Sequence, residues 1–335
     1  MESKFKLLLA ALMLTAAVSV RAADKPQAWA LVVAGESGDS NFTENYRDWC
    51  TRLHEFLTKY AGIPADHIRL LMEKQDLIPT IISATSTKEN VLKAFADISA
   101  KAKPADQVTV FYIGHGTAQG GVGKLCLPGP DITSDETADL LNKLPTKEVI
   151  FINTAACSAA FLEKCSAPGR IIVTSTNNAG EGNETYFLEF FLKAFETGDR
   201  AVMATQSVLI AFNTAATECP KWYLRQYYDA KEHTWRTEGK QSRALWTKFY
   251  GKMPDKKAGA PLDANAEDAE PVLGEWGEQW ASRRMPTEHA QLDDNGDKLG
   301  TGVFVNNQFT PLPGSEEGAD GFLARTAVIG KPATR

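Results

Sequence analysis

Two residues in this chain have the types and setting for nucleophilic chemistry. His115 follows the apolar run VTVFYI and stands between Gly114 and Gly116, and Cys157 follows the run EVIFIN through Thr154, Ala155 and Ala156. A thiolate attacks carbonyl carbon far better than a thiol, and a free cysteine is mostly protonated at neutral pH. A neighbouring imidazole can take the thiol proton or protonate a departing amine. The tetrahedral oxyanion then needs fixed donors, and the backbone N–H groups of Gly116 and Cys157 are the candidates. The plainer roles are a turn histidine and a small buried cysteine. Two such residues one βα unit apart, flanked by glycines and small side chains, favour a dyad over packing alone.

Both runs are filled by β-branched and aromatic residues without alternation, which marks buried parallel strands. Each candidate therefore lies at the carboxyl end of its strand, the edge where open α/β sheets bind ligands. Around them the chain alternates strands with helices. AWALVVA (28–34) reads as the first strand, and GESGDSNFT (35–43) as the loop at its carboxyl end. Residues 44–60 read as an amphipathic helix, HIRLLME (67–73) as a second strand, and the stretch after Thr87 as a capped helix. The glycines of GTAQGGVGKL suit a hairpin turn rather than a phosphate loop, because neither Gly-Lys-Ser/Thr nor a strand–GxGxxG–helix context accompanies them. SDETADLLNKL (134–144) reads as a helix, RIIVTST (170–176) as a fifth strand, ETYFLEFFLKAF (184–195) as a helix, and 200–219 as another. This order predicts an α/β fold, an α/β/α sandwich with a mainly parallel sheet.

The pattern strand–His–Gly, then strand–Ala–Cys, resembles the caspase-like cysteine peptidases of clan CD. Within it the chain is most similar to the legumain (asparaginyl endopeptidase) family of bacterial type. WALVVAGESGDSNFTENYRDWC with AGIPADHIRLLMEK, SAPGRIIVTSTNNAGEGNETYFLEFFLKAF (166–195) and TEHAQLDDNGDKLGTG (287–302) extend the resemblance. It implies a caspase-like fold, a Cys157 nucleophile, and a His115 that acts mainly on the leaving group. It also implies an exported cysteine endopeptidase working through an acyl-enzyme. Arg47 falls near the family's basic specificity position. The family's acidic residue before the cysteine is here Ala156, and its Glu-Ser-Gly after it begins here with Ser158. Glu181 and Glu184 could supply an acidic wall instead. A transpeptidase or ligase on the same site, and an inactive peptide-binding module, are the alternatives.

Met1–Ala22 reads as a secretory signal: lysines at 4 and 6, an apolar core, and Val20-Arg21-Ala22 as the cleavage site. Its removal takes the net charge from −6 to −8, which argues against binding nucleic acid by charge. No later stretch reaches membrane-spanning length. Export to a bacterial periplasm or beyond follows, with a peptidase domain at 23–220, a helical or linker insertion at 221–285, and a turn-rich segment at 286–335 packing on the main domain. The segment 252–275 has the composition of an exposed linker and of an activation cleavage site. Five cysteines (50, 126, 157, 165 and 219) leave four for disulfides if Cys157 is the nucleophile. No cofactor is required by this chemistry. Asp293, Asn295 and Asp297 carry the first spacings of a calcium loop, but position 12 is Phe304, so an EF-hand fails. An Asx-stabilised turn is the simpler expectation.

Overall fold

A computed structural model describes residues 25–182, 185–229, 234–235, 288–302, 304–305, 308–309 and 316–333. The signal segment, Glu184 and the 252–275 linker lie outside the described residues, as does most of the 221–285 insertion.

The strands are β1 (Ala28–Ala34), β2 (Ile68–Met72), β3 (Ala84–Thr85), β4 (Gln107–Ile113), β5 (Gly116–Gln119), β6 (Val122–Leu125), β7 (Ile132–Thr133), β8 (Glu148–Asn153) and β9 (Arg170–Thr174). A short pair, β10 (Tyr228–Asp229) and β11 (Thr234–Trp235), precedes β12 (Gln291–Asp293). The helices are α1 (Ser40–Glu55), α2 (Lys88–Lys101), α3 (Ser134–Asn142), α4 (Ala159–Cys165), α5 (Phe187–Glu196), α6 (Arg200–Met203) and α7 (Val208–Tyr227).

Seven strands form the main sheet in the order β12-β9-β8-β4-β1-β2-β3, all parallel except β12, which runs antiparallel to β9. Alternate residues of each central strand face opposite sides. Val32 lies in the core that also holds Tyr46, Trp49 and Leu53 of α1 and Phe187 and Phe191 of α5. Leu31 and Val33 lie in the opposite core with Phe95 and Ile98 of α2, Leu141 of α3 and Phe161 of α4. Burial on both faces explains the continuous apolar runs of β1, β4 and β8. The result is the predicted α/β/α sandwich of caspase-like type.

The caps follow the sequence. Thr87 accepts the Asn90 N–H ahead of α2, and Thr133 with Glu136 forms a reciprocal capping box ahead of α3. The helix expected at 44–60 begins four residues earlier, because Asp39 accepts the N–H groups of Asn41 and Phe42. Its last turn, Phe56–Tyr60, is π-helical. The helix expected at 200–219 is two, α6 and α7.

After β1 the chain moves to β2 and β3 on one side, then returns to place β4 and β8 on the other. The carboxyl ends of β1 and β4 therefore border the crevice where the winding reverses, the usual ligand position in such sheets. The hairpin β5–β6, turned by Gly120 and Gly121 at positive φ, and β7 form a small sheet beside that crevice.

All five cysteines are free thiols, and Cys50, Cys165 and Cys219 are buried core residues, so the expected disulfide framework is not formed. Burial pushes the Cys165 thiol up to about 12 and raises that of Cys50 further. Residues 288–302 and 316–333 meet the sheet at β9 and at Gln107 of β4. β12 extends it, and the carbonyls of Ala327 and Ala324 accept the first N–H groups of α7, from Val208 and Leu209.

Candidate active site

β4 and β8 pair in parallel with Tyr112 opposite Asn153. That register brings the loops carrying His115 and Cys157 out side by side. They are tied by main chain: Ala156 N–H donates to the Gly114 carbonyl at 3.2 Å. A Cβ at position 116 would run into the Ala156 carbonyl oxygen, so only glycine permits this approach. The glycine after His115 thus fixes the separation of the two loops, a more specific role than general freedom near substrate.

The loop after β1 orients the imidazole. His115 Nε2 lies 2.9 Å from the Ser37 carbonyl oxygen. A carbonyl only accepts, so Nε2 carries the hydrogen and the neutral ring presents its lone pair at Nδ1. Phe42 and Tyr46 of α1 stand edge-on to the ring, at centroid distances of 4.9 and 6.2 Å. The Ser37 loop is itself anchored. Glu73, just past β2, accepts the Ser37 N–H at 2.9 Å, and the Ser37 and Thr43 hydroxyls share a hydrogen bond. Glu73 was not singled out by the sequence; its only signal is a carboxylate directly after an apolar strand.

Cys157 is buried and has φ 55°, the left-handed region that non-glycine residues rarely occupy. Such backbone persists only where surroundings hold it, and it concentrates at functional turns. Ser158 does much of the holding. It is fully buried, and its Oγ lies 3.1 and 3.2 Å from the N–H groups of Ser175 and Thr176 and 3.1 Å from both their hydroxyls. Where substrate contact is expected of Ser158, its hydroxyl is turned inward onto Ser175 and Thr176, just past β9. Ala156 is buried as well, and its carbonyl oxygen faces Gly116.

Burial raises the Cys157 pKa first, and the Glu181 charge adds to the rise, so the resting group is the thiol. Its Sγ donates to the Ala179 carbonyl at 3.3 Å, and its N–H donates to the Glu181 carbonyl at 2.8 Å. The expected oxyanion donor at Cys157 is thus occupied by the protein's own chain. The Glu181 side chain is buried, accepts the Asn177 N–H at 2.8 Å and pairs with Nδ1 of His289. His289, within the TEHAQ stretch, joins the site through this pair, and nothing local to it in the sequence signals that role. Its neighbour Glu288 caps α5, accepting the N–H groups of Tyr186 and Phe187.

Arg47 is exposed on α1, one position past Tyr46. On the same helix Arg52 is paired with Asp48, Glu189 and Glu196.

The candidate calcium residues form the turn that local chemistry favours. Asp293 accepts the Gly296 N–H, Asn295 the Asp297 N–H and Asp297 the Leu299 N–H. Among the described residues no group of three or more His, Cys, Asp or Glu side chains is arranged to hold a metal ion. Nor is any helix of the described residues long and apolar enough to cross a membrane.

No family model matches this chain, and no curated protein does. Among solved structures, a crystal structure of a Geobacter sulfurreducens protein matches 58% of this chain and 89% of its own length. Its identity is 13% and its TM-score 0.40, an overlap too loose to identify a shared family.

Proposed function

We infer that this protein is an exported cysteine endopeptidase of the legumain-like kind, acting on peptides or proteins through His115 and Cys157 without a cofactor. The observation that supports this best is the tethered imidazole. A histidine at the topological switch point is held through Nε2 by the Ser37 carbonyl, and its loop is tied through Gly114 and Ala156 to the loop that carries a cysteine in left-handed backbone.

In this reading the Cys157 sulfur attacks the carbonyl carbon of the scissile bond, and its proton passes to His115 Nδ1. The imidazolium is stabilised by the Ser37 carbonyl on its far side and gives its proton to the departing amine. The thioester is then cleaved by water, which His115 deprotonates, and the thiol returns. The sulfur must first become a thiolate against the burial that now disfavours it, so this resting geometry is not the reactive one.

The test is incubation of the mature protein with a mixed peptide library, beside Cys157→Ala and His115→Ala, with products read by mass spectrometry. Cleavage by wild type that is lost in both variants is the expected result and also gives the preferred residue before the cut. Equal cleavage by wild type and Cys157→Ala would remove the proposal.

A further inference from the structure

The loop between β9 and α5 supplies two main-chain contacts to one residue, and that residue is the nucleophile candidate. Ala179 C=O accepts from Cys157 Sγ, and Glu181 C=O accepts from Cys157 N–H. A Cβ at Gly182 would lie 3.6 Å from the same sulfur. In acyl transfer, the N–H of the nucleophilic residue is a natural donor to the substrate carbonyl oxygen. A peptide carbonyl already sits there, and it belongs to the chain itself.

The hold on this loop comes from far away in sequence. Residues 178–180 and 182 are exposed, yet Glu181 between them is buried. Its carboxylate is gripped from two sides, by His289 Nδ1 and by the Asn177 N–H. His289 in turn follows Glu288, whose carboxylate is fixed on the start of α5, and precedes β12 in the main sheet. The clamp is therefore mounted on rigid elements, whereas the loop's own support is a local turn: Gly180 N–H on Asn178 Oδ1, and Glu181 N–H on the Asn178 carbonyl.

We propose that residues 177–182 are a built-in stand-in for substrate, clamped over Cys157 by the Glu181–His289 pair, and that Glu181 must be released before a peptide can reach the sulfur. This rests on reading Cys157 as the nucleophile. Release does two things at once. It vacates the Cys157 N–H for an incoming carbonyl, and it takes away both the cover and the carboxylate that hold the sulfur as a thiol. Opening and activation are then one event.

The experiment follows the thiol and uses no substrate. Mature wild type, Glu181→Ala, Glu181→Gln and His289→Ala are treated with iodoacetamide at one neutral pH, and each cysteine is quantified by peptide mapping over time. The expected result is Cys157 alkylated on the order of tenfold faster in Glu181→Ala and His289→Ala. Glu181→Gln, which keeps a side-chain oxygen for Asn177, falls between them and wild type. Cys50, Cys165 and Cys219, buried in the core, stay protected in all four proteins. Unchanged or slower Cys157 alkylation in both alanine variants would overturn the proposal. So would equal acceleration at Cys50 and Cys165, which reports general loosening. Because no peptide is cleaved in this assay, the clamp can fail while the peptidase stands, and the peptidase can fail while the clamp stands.

Discussion

Replacing Ser158 by alanine separates a structural hydroxyl from a substrate-binding one. The Oγ lies within hydrogen-bond distance of four groups: the N–H groups of Ser175 and Thr176 and the hydroxyls of the same two residues. One hydroxyl has one proton and two lone pairs, so it satisfies at most three of them at a time. The two hydroxyl neighbours can rotate to other acceptors, and Ser175 Oγ already donates to the Ala155 carbonyl. The two backbone donors cannot move without unpicking the end of β9. Each buried donor left without an acceptor costs about 1–3 kcal/mol, and the cavity left by one oxygen adds little. Ser158→Ala should therefore lose ~2–6 kcal/mol, two such donors together, read as a lowered urea midpoint with unchanged slope by circular dichroism. Thiol alkylation at Cys157 should rise in the same protein, because Ser158 links its turn to β9. A loss below ~0.5 kcal/mol, with any defect confined to the KM of a peptide substrate, would refute this assignment and restore Ser158 to the binding surface.

Gly116→Ala should cripple the site, since the added methyl meets the Ala156 carbonyl; peptide hydrolysis should vanish and thermal unfolding should come several degrees earlier. Glu73→Ala should lower kcat about tenfold with little change in KM, because the Ser37 loop loses its anchor and His115 its orientation. Glu73→Gln, which retains an accepting oxygen, should recover most of the loss. Burial raises the Asp320 pKa to about 6, against the hydrogen bonds from Thr301 and the Asp294 N–H. A carboxyl whose folded pKa is raised contributes stability fully present below its ordinary value and lost as the pH climbs through 6. Asp320→Asn, which cannot ionise, should thus be more stable than wild type at pH 7.5 in urea titrations, and this advantage should shrink by pH 5.

The sheet was readable because its central strands are buried on both faces, so VTVFYI, EVIFIN and ALVV carry no helical or alternating period that could mislead. The placement of His115 and Cys157 just past β4 and β8 is legible for the same reason, and strand ends in an α/β sheet are where the chain turns toward ligands. The start of α1 was not readable, because Asp39 caps it from within a Gly/Ser/Asp stretch that looks like loop throughout. β12 has three residues, too few for any periodicity, and it pairs with β9 only because the chain returns from far downstream. The contacts that shape the site, Ser37 with His115, Glu73 with Ser37, and Glu181 with both Cys157 and His289, join separate loops. Local pattern carries no information on such meetings. Ser158 shows the converse hazard: adjacency to Cys157 suggests a substrate contact, whereas its side chain turns inward.

β12 closes the sheet from the far end of the chain, and that has a consequence for a nicked molecule. If a protease cut the backbone anywhere between 236 and 287, the downstream piece would still own the outermost strand beside β9 and the carboxylate that caps α5. It would also own the carbonyls that receive the first N–H groups of α7. Such a protein would run as two bands on a denaturing gel and as one particle on a sizing column. Stripping the smaller piece away would uncover the bare edge of β9, a template for pairing with other chains. What the particle needs is the presence of residues 288–333, whose hold on β9, α5 and α7 is non-covalent.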